Sequence, residues 1–265
     1  ERLLVSDDLN NPIALVQILV KKLPFIGGIA RINRGPIIIN SHAEEDDAGL
    51  VFAVLDVIER EAKRSRWWFV QFALELRDSE AAKKGLAESG YRTSKIVPWA
   101  SGLLSLKNSE DEILMSFNGK WRNGMRKGLK LGVKVSKKAC SEAELALLLA
   151  EYSTLQKSNG FVGISGALLE AMAHQTGSLW AFNLFFAFAE GEENSLPIGM
   201  LVTMRTGDTV IYLIGSTNRI GRDLQANSVL LWESLLDAKR SGCEWFDIGG
   251  LSDSTSKGIA SFKKG

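Results

Sequence analysis

The residues with the clearest chemical potential lie near the end of this 265-residue chain. Residues 245–248 form a short apolar pattern that is typical of a buried strand, and the pair Gly249-Gly250 ends it. A polar loop follows at 251–257, and Phe262 and Lys263 then stand side by side. A strand that ends in Asp-x-Gly-Gly before a loop is a usual place for chemistry in α/β folds. The alternative interpretation is an ordinary strand, loop and surface lysine.

A second candidate is a basic segment at residues 120–138, which contains eight Lys and Arg residues and no acidic residue. Arg122, Arg126 and Lys130 recur every four residues and therefore share one face of a predicted helix, with Lys127 beside them. Packed like charges favour an anionic ligand, and phosphate fits best because Arg and Lys contacts to phosphate dominate nucleic-acid affinity. A solvated basic helix is the alternative.

These segments together resemble the FemABX family, bacterial transferases that extend peptidoglycan stem peptides using aminoacyl-tRNA. The family carries a helix ending in Ala-x-x-x-Gly, a strand close to Tyr-Asp-(hydrophobic)-Gly-Gly, and a Gly-(hydrophobic)-x-x-Phe-Lys element. The corresponding segments here are 238–242, 246–250 and 258–263. The resemblance extends upstream to Arg34-Gly35-Pro36 and to the basic residues at 121–127.

The resemblance implies an α/β (α+β) fold of two acyl-CoA N-acyltransferase (GNAT)-like domains, each a mixed or antiparallel sheet flanked by helices. We expect an N-terminal domain at 1–112, whose start looks truncated relative to the family, and a C-terminal domain at 113–265. The implied donor is aminoacyl-tRNA, and the implied acceptor is a peptidoglycan precursor with a nucleotide- or lipid-linked stem peptide. No cofactor is implied.

The resemblance also implies roles for the tail residues. In the family reaction an amine attacks the ester carbonyl of aminoacyl-tRNA, and negative charge builds on the carbonyl oxygen. By resemblance Lys263 stabilises that charge, which an ammonium does at neutral pH without a pKa shift, and Phe262 shapes the pocket. Asp247, Gly249 and Gly250 are expected at the substrate-binding end of the strand.

The loop at 215–227, which contains Arg219 and Arg222, is a third candidate for binding substrate. In acetyl-CoA transferases of similar fold the corresponding loop reads Arg/Gln-x-x-Gly-x-Gly/Ala, and its backbone N–H groups wrap a pyrophosphate. Gln225 and Asn227 stand here where small residues are expected. These two larger side chains argue against acetyl-CoA as the donor and leave a larger donor possible.

Two alternative functions stay open at this point. One is an acyl-CoA-dependent N-acyltransferase of GNAT type, against which the loop at 222–227 argues. The other is a non-catalytic nucleic-acid-binding module, against which Phe262 and Lys263 argue.

Composition narrows the class of protein without naming its function. The net charge is +1, so a nucleic-acid surface must come from local clustering. Cys140 and Cys243 do not make a disulfide framework, and the two histidines do not favour a zinc site. No apolar run approaches the roughly 20 residues of a membrane span, and no signal peptide is recognisable. We therefore expect a cytoplasmic protein with possible peripheral contact with the membrane face, of undetermined oligomeric state.

The periodicity of apolar residues predicts elements that alternate between strands and helices. The predicted strands are 13–20, 29–32, 37–39, 67–76, 94–97, 103–106, 133–135, 179–189, 197–205, 209–214 and 245–248. The predicted helices are 43–64, 79–89, 110–117, 119–131, 141–156, 165–175 and 225–240. Ser79 is a predicted N-cap, and Ser141 with Glu144 forms a predicted capping box. Tyr212 and Trp232 are predicted to be core residues.

Overall fold

The computed structural model describes residues 1–39, 48–74, 76, 79–96, 100–175, 177–192, 195–251 and 257–263. The chain divides into two compact units, Glu1–Pro98 and Trp99–Gly265. This division falls earlier than the boundary expected between residues 112 and 113. The reason is that the strand Ser101–Ser105 pairs with the strand Trp245–Gly250 in the sheet of the second unit. The fold is mixed α/β, as predicted.

The first unit contains two small sheets, ordered β1-β2-β5 and β3-β4-β6. Its elements are β1 (Arg2–Ser6), β2 (Pro12–Gln17), β3 (Leu19–Leu23), β4 (Gly27–Asn33), β5 (Ile37–Ile38), α1 (Ala48–Arg64), β6 (Trp67–Ala73) and α2 (Glu80–Glu88). The single strand predicted at 13–20 is wrong, because the chain passes from one sheet to the other at Ile18. Ile18 is buried at this crossing, which explains why its apolar neighbours read as one continuous run.

Buried side chains of α1 form the core of the first unit with the inner faces of β2 and β4. Val54 and Ile58 of the helix pack with Val16, Ala30 and Ile32 of the strands. The start of the predicted helix, residues 43–47, lies outside the described residues. The strand predicted at 94–97 is wrong for residues 94–96, which have no regular structure, and residue 97 is not described.

Helix α2 begins as its sequence predicts. The Ser79 hydroxyl oxygen accepts a hydrogen bond from the Ala82 N–H (3.1 Å), which confirms the N-cap.

The second unit is built on one six-stranded sheet, ordered β7-β12-β11-β10-β9-β8. Its elements are β7 (Ser101–Ser105), α3 (Glu110–Ser116), α4 (Gly119–Lys130), β8 (Lys134–Lys138), α5 (Glu142–Asn159), α6 (Gly166–Ala173), β9 (Trp180–Phe188), β10 (Gly199–Thr206), β11 (Thr209–Thr217), α7 (Arg219–Asp223), α8 (Ala226–Arg240), β12 (Trp245–Gly250) and α9 (Lys257–Lys263). Strands β8 to β11 pair antiparallel, and β12 then returns parallel to β11 after the crossover helix α8. This order of elements positions the candidate site.

Helices cover both faces of the second unit's sheet. Leu201, Val229 and Phe246 belong to a core cluster between the sheet and α8, whereas Leu148 and Phe186 belong to a second cluster under α5 and α6. Alternation along the strands produces this division, because successive side chains of a strand point to opposite faces.

Helix α5 begins with the predicted capping box. The Ser141 hydroxyl oxygen accepts from the Glu144 N–H, and the Glu144 carboxylate accepts from the Ser141 N–H (2.9 Å). Among the described residues no helix is long and apolar enough to cross a membrane.

Candidate active site

The ladder between β11 and β12 is short, and the candidate site forms where it ends. The two strands pair only at Thr209–Trp245, Val210–Phe246 and Ile211–Asp247, although both strands continue further. On its other side β11 carries a bulge against β10, where the register shifts between Val202 and Thr203. A bulge increases local twist and re-aims the side chains beside it. Tyr212 lies at this position, directly after the last paired residue.

Asp247 is buried and makes its hydrogen bonds close to the strand end. Its Oδ1 accepts from the Gly249 N–H (2.7 Å), and its Oδ2 accepts from the Ser101 hydroxyl (3.2 Å). Gly249 has a φ of +72°, and a Cβ added there would lie 2.9 Å from the Tyr212 carbonyl oxygen and 3.1 Å from Lys263 Nζ. Gly250 pairs with Ser101 of β7. The Asp-x-Gly-Gly sequence therefore forms a tight turn, and position 249 of this turn accommodates only glycine.

Lys263 lies at the end of α9 and points its ammonium to this turn. Its Nζ stands 4.9 Å from the centroid of the Tyr212 ring. The side chain is half-buried, and within the described residues the ammonium has no hydrogen-bond acceptor. Burial lowers the pKa of Lys263 below its ordinary value, and the charge of Asp247 acts in the opposite direction. The site therefore partly desolvates this ammonium and leaves its three donors available.

Phe262 anchors the end of α9. It is half-buried and packs against the core cluster between the sheet and α8. Because packing fixes the Phe262 side chain, it also fixes the backbone position from which the Lys263 side chain extends. The structure thus brings Lys263, Phe262, Asp247 and Gly249 close together at the end of β12.

Tyr212 and Ser101 complete this cluster, and the sequence reasoning missed both. Tyr212 was predicted to be a core residue, and it does pack against the core cluster under α8, but its ring also forms the surface under the Lys263 ammonium. Burial raises the pKa of the Tyr212 phenol, so the hydroxyl is neutral at physiological pH. Ser101 comes from the edge strand β7. No single-sequence signal connects these residues with Lys263, because each lies far from it along the chain.

Arg122 does not belong to the exposed basic face that its spacing predicts. Its Nη1 donates to the carbonyl oxygen of Met115 (3.1 Å) and to that of Phe117, and so caps the C-terminal end of α3. Trp121 beside it is buried, and its ring stacks on Phe117 with a centroid distance of 4.0 Å. These two residues join α3 to α4, and Arg122 makes its hydrogen bonds within the protein.

The remaining cations of α4 are exposed. Arg126, Lys127 and Lys130 extend into solvent, and within the described part of the chain none of them forms an ion pair. Arg126 and Lys130 keep the predicted four-residue spacing on one helix. Phosphate binding by these three residues stays a prediction.

Two glycines on the opposite side of α4 bring this helix against α8. A Cβ added at Gly128 would lie 2.6 Å from Val229 Cγ2 and 3.0 Å from the Leu224 carbonyl oxygen. A Cβ added at Gly124 would lie 3.1 Å from Gln225 Oε1. The basic helix thus packs against the segment that connects β11 to α8, which contains the other predicted phosphate-binding residues.

That connecting segment is more ordered than the predicted loop. Strand β11 continues to Thr217, and the short helix α7 follows. Arg222 donates from Nη1 to the Thr217 carbonyl oxygen (2.9 Å), whereas Arg219 is exposed. Gln225 adopts φ of 60°, the left-handed conformation that glycine prefers, and its Nε2 donates to the Arg222 carbonyl oxygen (3.1 Å). A larger side chain therefore occupies the backbone position where the acetyl-CoA loop has glycine.

Comparison with known proteins agrees with this architecture. Residues 116–264, more than half of the chain, match the family model described as an acetyltransferase (GNAT) domain. No curated protein matches the sequence.

Solved structures share the fold at low sequence identity. The crystal structure of FemX has a TM-score of 0.79 with 18% identity, over 100% of this chain and 83% of that one. L-PGS from Bacillus licheniformis has a TM-score of 0.57 with 12% identity, over 97% of this chain and 71% of that one. The C-terminal domain of a putative lysylphosphatidylglycerol synthetase from Agrobacterium fabrum has a TM-score of 0.55 with 12% identity, over 98% of this chain and 74% of that one. The chain belongs to the acetyltransferase (GNAT) family and has a FemX-like fold.

Proposed function

We propose that this chain is an aminoacyltransferase that moves an amino acid from aminoacyl-tRNA to an amine of a peptidoglycan precursor stem peptide. The observation that carries the proposal is the position of Lys263, whose desolvated ammonium lies over Tyr212 beside the Asp247–Gly249 turn. The likeness to FemX, which spans the whole chain, supports the same reaction class. The acyltransferase class follows from the family, and the identity of donor and acceptor is the proposed part.

The proposed chemistry is aminolysis of an ester. The acceptor amine attacks the ester carbonyl of the donor, the new C–N bond forms, and the bond from the carbonyl carbon to the ribose oxygen breaks. One proton leaves the amine and one proton reaches the departing ribose hydroxyl, so the reaction balances without a redox partner. Lys263 donates a hydrogen bond to the carbonyl oxygen as its negative charge develops. An ammonium in a half-buried site does this more strongly than one in water, because the local dielectric constant is lower.

Two features of the connecting segment and of the helix packed against it support a tRNA donor. Three exposed cations of α4, Arg126, Lys127 and Lys130, lie on a helix that packs against the connecting segment between β11 and α8, and Arg219 projects from α7. Gln225 takes the place of the glycine that lets a backbone cradle approach a pyrophosphate. A surface of separate cations fits a polyanion better than it fits one pyrophosphate.

A titration of donor binding tests the proposal. Charged tRNA and acetyl-CoA are titrated into the protein separately, at matched salt and pH. We expect tRNA to bind with an affinity that falls steeply as salt rises, since binding releases counterions from the phosphates. Acetyl-CoA should not bind at micromolar concentration. A tRNA complex that is insensitive to salt, or micromolar acetyl-CoA binding by calorimetry, would contradict the proposed donor.

A transfer assay identifies which form of the stem peptide accepts the amino acid. Pre-charged tRNA is mixed with a stem peptide in its free, nucleotide-linked or lipid-linked form, and the new amide is measured. Transfer to at least one form is expected, and we place this reaction in the cytoplasm, where charged tRNA is available. Binding of tRNA with no transfer to any form would favour the non-catalytic nucleic-acid-binding alternative.

An acyl-CoA-dependent N-acyltransferase is the second candidate. It is favoured by the match to the GNAT family model and by the left-handed backbone at Gln225, a conformation that glycine prefers. If this candidate is correct, Gln225→Gly should tighten acetyl-CoA binding. Under the tRNA proposal the same substitution leaves acetyl-CoA unbound.

A further inference from the structure

The outward side of the sheet β3-β4-β6 in the first unit has an unusual composition. The register pairs Leu19 with Arg31, Lys21 with Ile29, and Ile29 with Phe69, so these five side chains share one side. We call them the outer face. The alternate residues, including Ala30 and Ile32, point into the core. A strand face that is exposed in this way usually carries polar side chains, whereas three of these five are large and apolar.

A β-bulge adds a further aromatic residue to this surface. Gly28 pairs with Trp67 and Ile29 pairs with Phe69, so the register shifts and Trp68 is the extra residue of β6. Trp67 is buried, but Trp68 and Phe69 are 72% and 56% exposed. Two consecutive aromatic side chains therefore face solvent, which regular alternation does not allow.

The turn between β3 and β4 extends the apolar surface at one end. Phe25, with a φ of 66°, is fully exposed, and Ile26 beside it is half exposed to solvent. A groove of about 560 Å³ lies next to this turn, and its lining includes Glu1, Lys22, Phe25 and Arg66. The groove combines an aromatic wall with two basic side chains and one carboxylate.

Basic side chains predominate on this surface, and Glu1 supplies a carboxylate at the edge of its groove. Residues 19–33 and 65–73 contain Lys21, Lys22, Arg31 and Arg66 and no carboxylate. Among the described residues none of these four cations forms an ion pair. Exposed tryptophan and phenylalanine among unpaired cations are the composition of surfaces that insert into the interface of an anionic bilayer.

We propose that the outer face, with Phe25, Ile26, Trp68, Lys22 and Arg66, docks on an anionic phospholipid membrane. The aromatic and aliphatic side chains enter the interfacial region, and the cations contact lipid phosphates. A second copy of the chain fits less well, because a two-fold contact would bring the four cations against their own copies. Nucleic acid fits less well because Leu19, Ile26 and Ile29 offer nothing to a phosphate backbone. The proposal rests on the first unit alone and is independent of the transferase chemistry.

Vesicle flotation tests the proposal with the whole chain. Vesicles of phosphatidylcholine alone are compared with vesicles that contain roughly 30% phosphatidylglycerol, at low and at physiological salt. We expect flotation only with the anionic vesicles, and we expect it to weaken as salt rises. Lys21→Glu with Lys22→Glu should lower the partition coefficient about tenfold or more, since each basic residue near such a surface contributes strongly. Phe25→Ser with Trp68→Ser should abolish flotation.

Matched controls come from exposed residues elsewhere. Val162→Ser with Leu196→Ser removes two exposed apolar side chains, and Lys95→Glu with Lys157→Glu reverses two exposed charges. Both pairs should leave flotation unchanged, and circular dichroism checks that every variant is folded. Flotation that is equal with neutral vesicles, or equally weakened by the controls, would overturn the proposal. The proposal would also be overturned if the protein does not float with lipid in any form, and Phe25→Ser with Trp68→Ser instead is the one variant that abolishes a dimer seen in sedimentation velocity or abolishes tRNA binding.

Discussion

The ammonium of Lys263 lies 4.9 Å from the centre of the Tyr212 ring, at the point where β11 and β12 stop pairing. The ring attracts the cation through its quadrupole without accepting a conventional hydrogen bond, so the ammonium keeps its donors. Burial and the nearby Asp247 have opposite effects on the charged form of the lysine. This relationship provides the basis for the first three predictions.

Lys263→Met should slow the chemical step far more than it weakens donor binding. The substitution removes the proposed stabilising charge but keeps an apolar side chain of similar length. Loss of one such group typically costs on the order of 10²–10³ in rate. Single-turnover transfer from pre-charged tRNA to a stem peptide separates this step from binding.

The adjacent Lys264 supplies the control for that measurement. Lys264→Met removes the same charge from the same tail and should change the rate little. Equal losses in the two variants would indicate bulk electrostatics, and no loss in either would remove Lys263 from the site.

The pH dependence of the rate should report the lowered pKa of Lys263. The ammonium form is complete below that pKa and is lost as pH rises through it. The alkaline fall in rate should therefore occur below 10.5, the ordinary value for lysine. Asp247→Asn removes the charge that raises this pKa but keeps an acceptor for the Gly249 N–H, so the fall should move to lower pH.

Asp237→Asn is the control for the effect of Asp247→Asn on the pH profile. Asp237 pairs with Lys137 at 2.8 Å on the surface of the same unit. Its substitution should leave the profile in place. A profile that moves equally in both variants, or in neither, would contradict a role for Lys263 as the titrating group.

Gly215→Ala should disturb the platform under Lys263. A Cβ added at Gly215 would lie 1.7 Å from the Tyr212 hydroxyl oxygen, so the ring must move. Overpacking of this kind costs roughly 1–3 kcal/mol of unfolding free energy, and we expect the transfer rate to fall as well. Adding Tyr212→Phe removes the closest atom and should restore part of both losses.

Gly166→Ala measures the ordinary effect of adding a methyl group. Its new Cβ would have its nearest neighbour, Leu149 Cδ2, at 3.6 Å, which is a normal contact. Thermal melts and single-turnover rates of the variants are compared. An unchanged rate in Gly215→Ala would show that the ring position does not matter to Lys263.

The basic helix should divide into a structural residue and binding residues. Arg122→Glu removes the donor that caps α3 and should lower the unfolding free energy by roughly 1.5–3 kcal/mol, as measured by denaturant titration. Arg126→Glu with Lys130→Glu should weaken tRNA binding several-fold and leave stability unchanged, because exposed charges contribute little to folding. A large stability loss in the second variant, or none in the first, would contradict this division.

Short-range features of this protein could be predicted from sequence alone. The caps at Ser79 and Ser141 depend on hydrogen bonds between residues three apart, and the alternation of buried positions defined most strands. The Asp247–Gly249 turn belongs to the same class, because its hydrogen bond spans two residues. Lys263 was found through a motif that resembles a known family.

Only the tertiary structure decided which distant residues meet. Tyr212 contacts Lys263, and Ser101 bonds Asp247, because the strand order brings β7, β12 and β11 together. The same holds for the passage of Ile18 between two sheets, and for the bulge that turns Trp68 outward. Local periodicity indicates which positions of an element are buried. It does not indicate which other elements cover them, since pairing register and strand order depend on the whole chain.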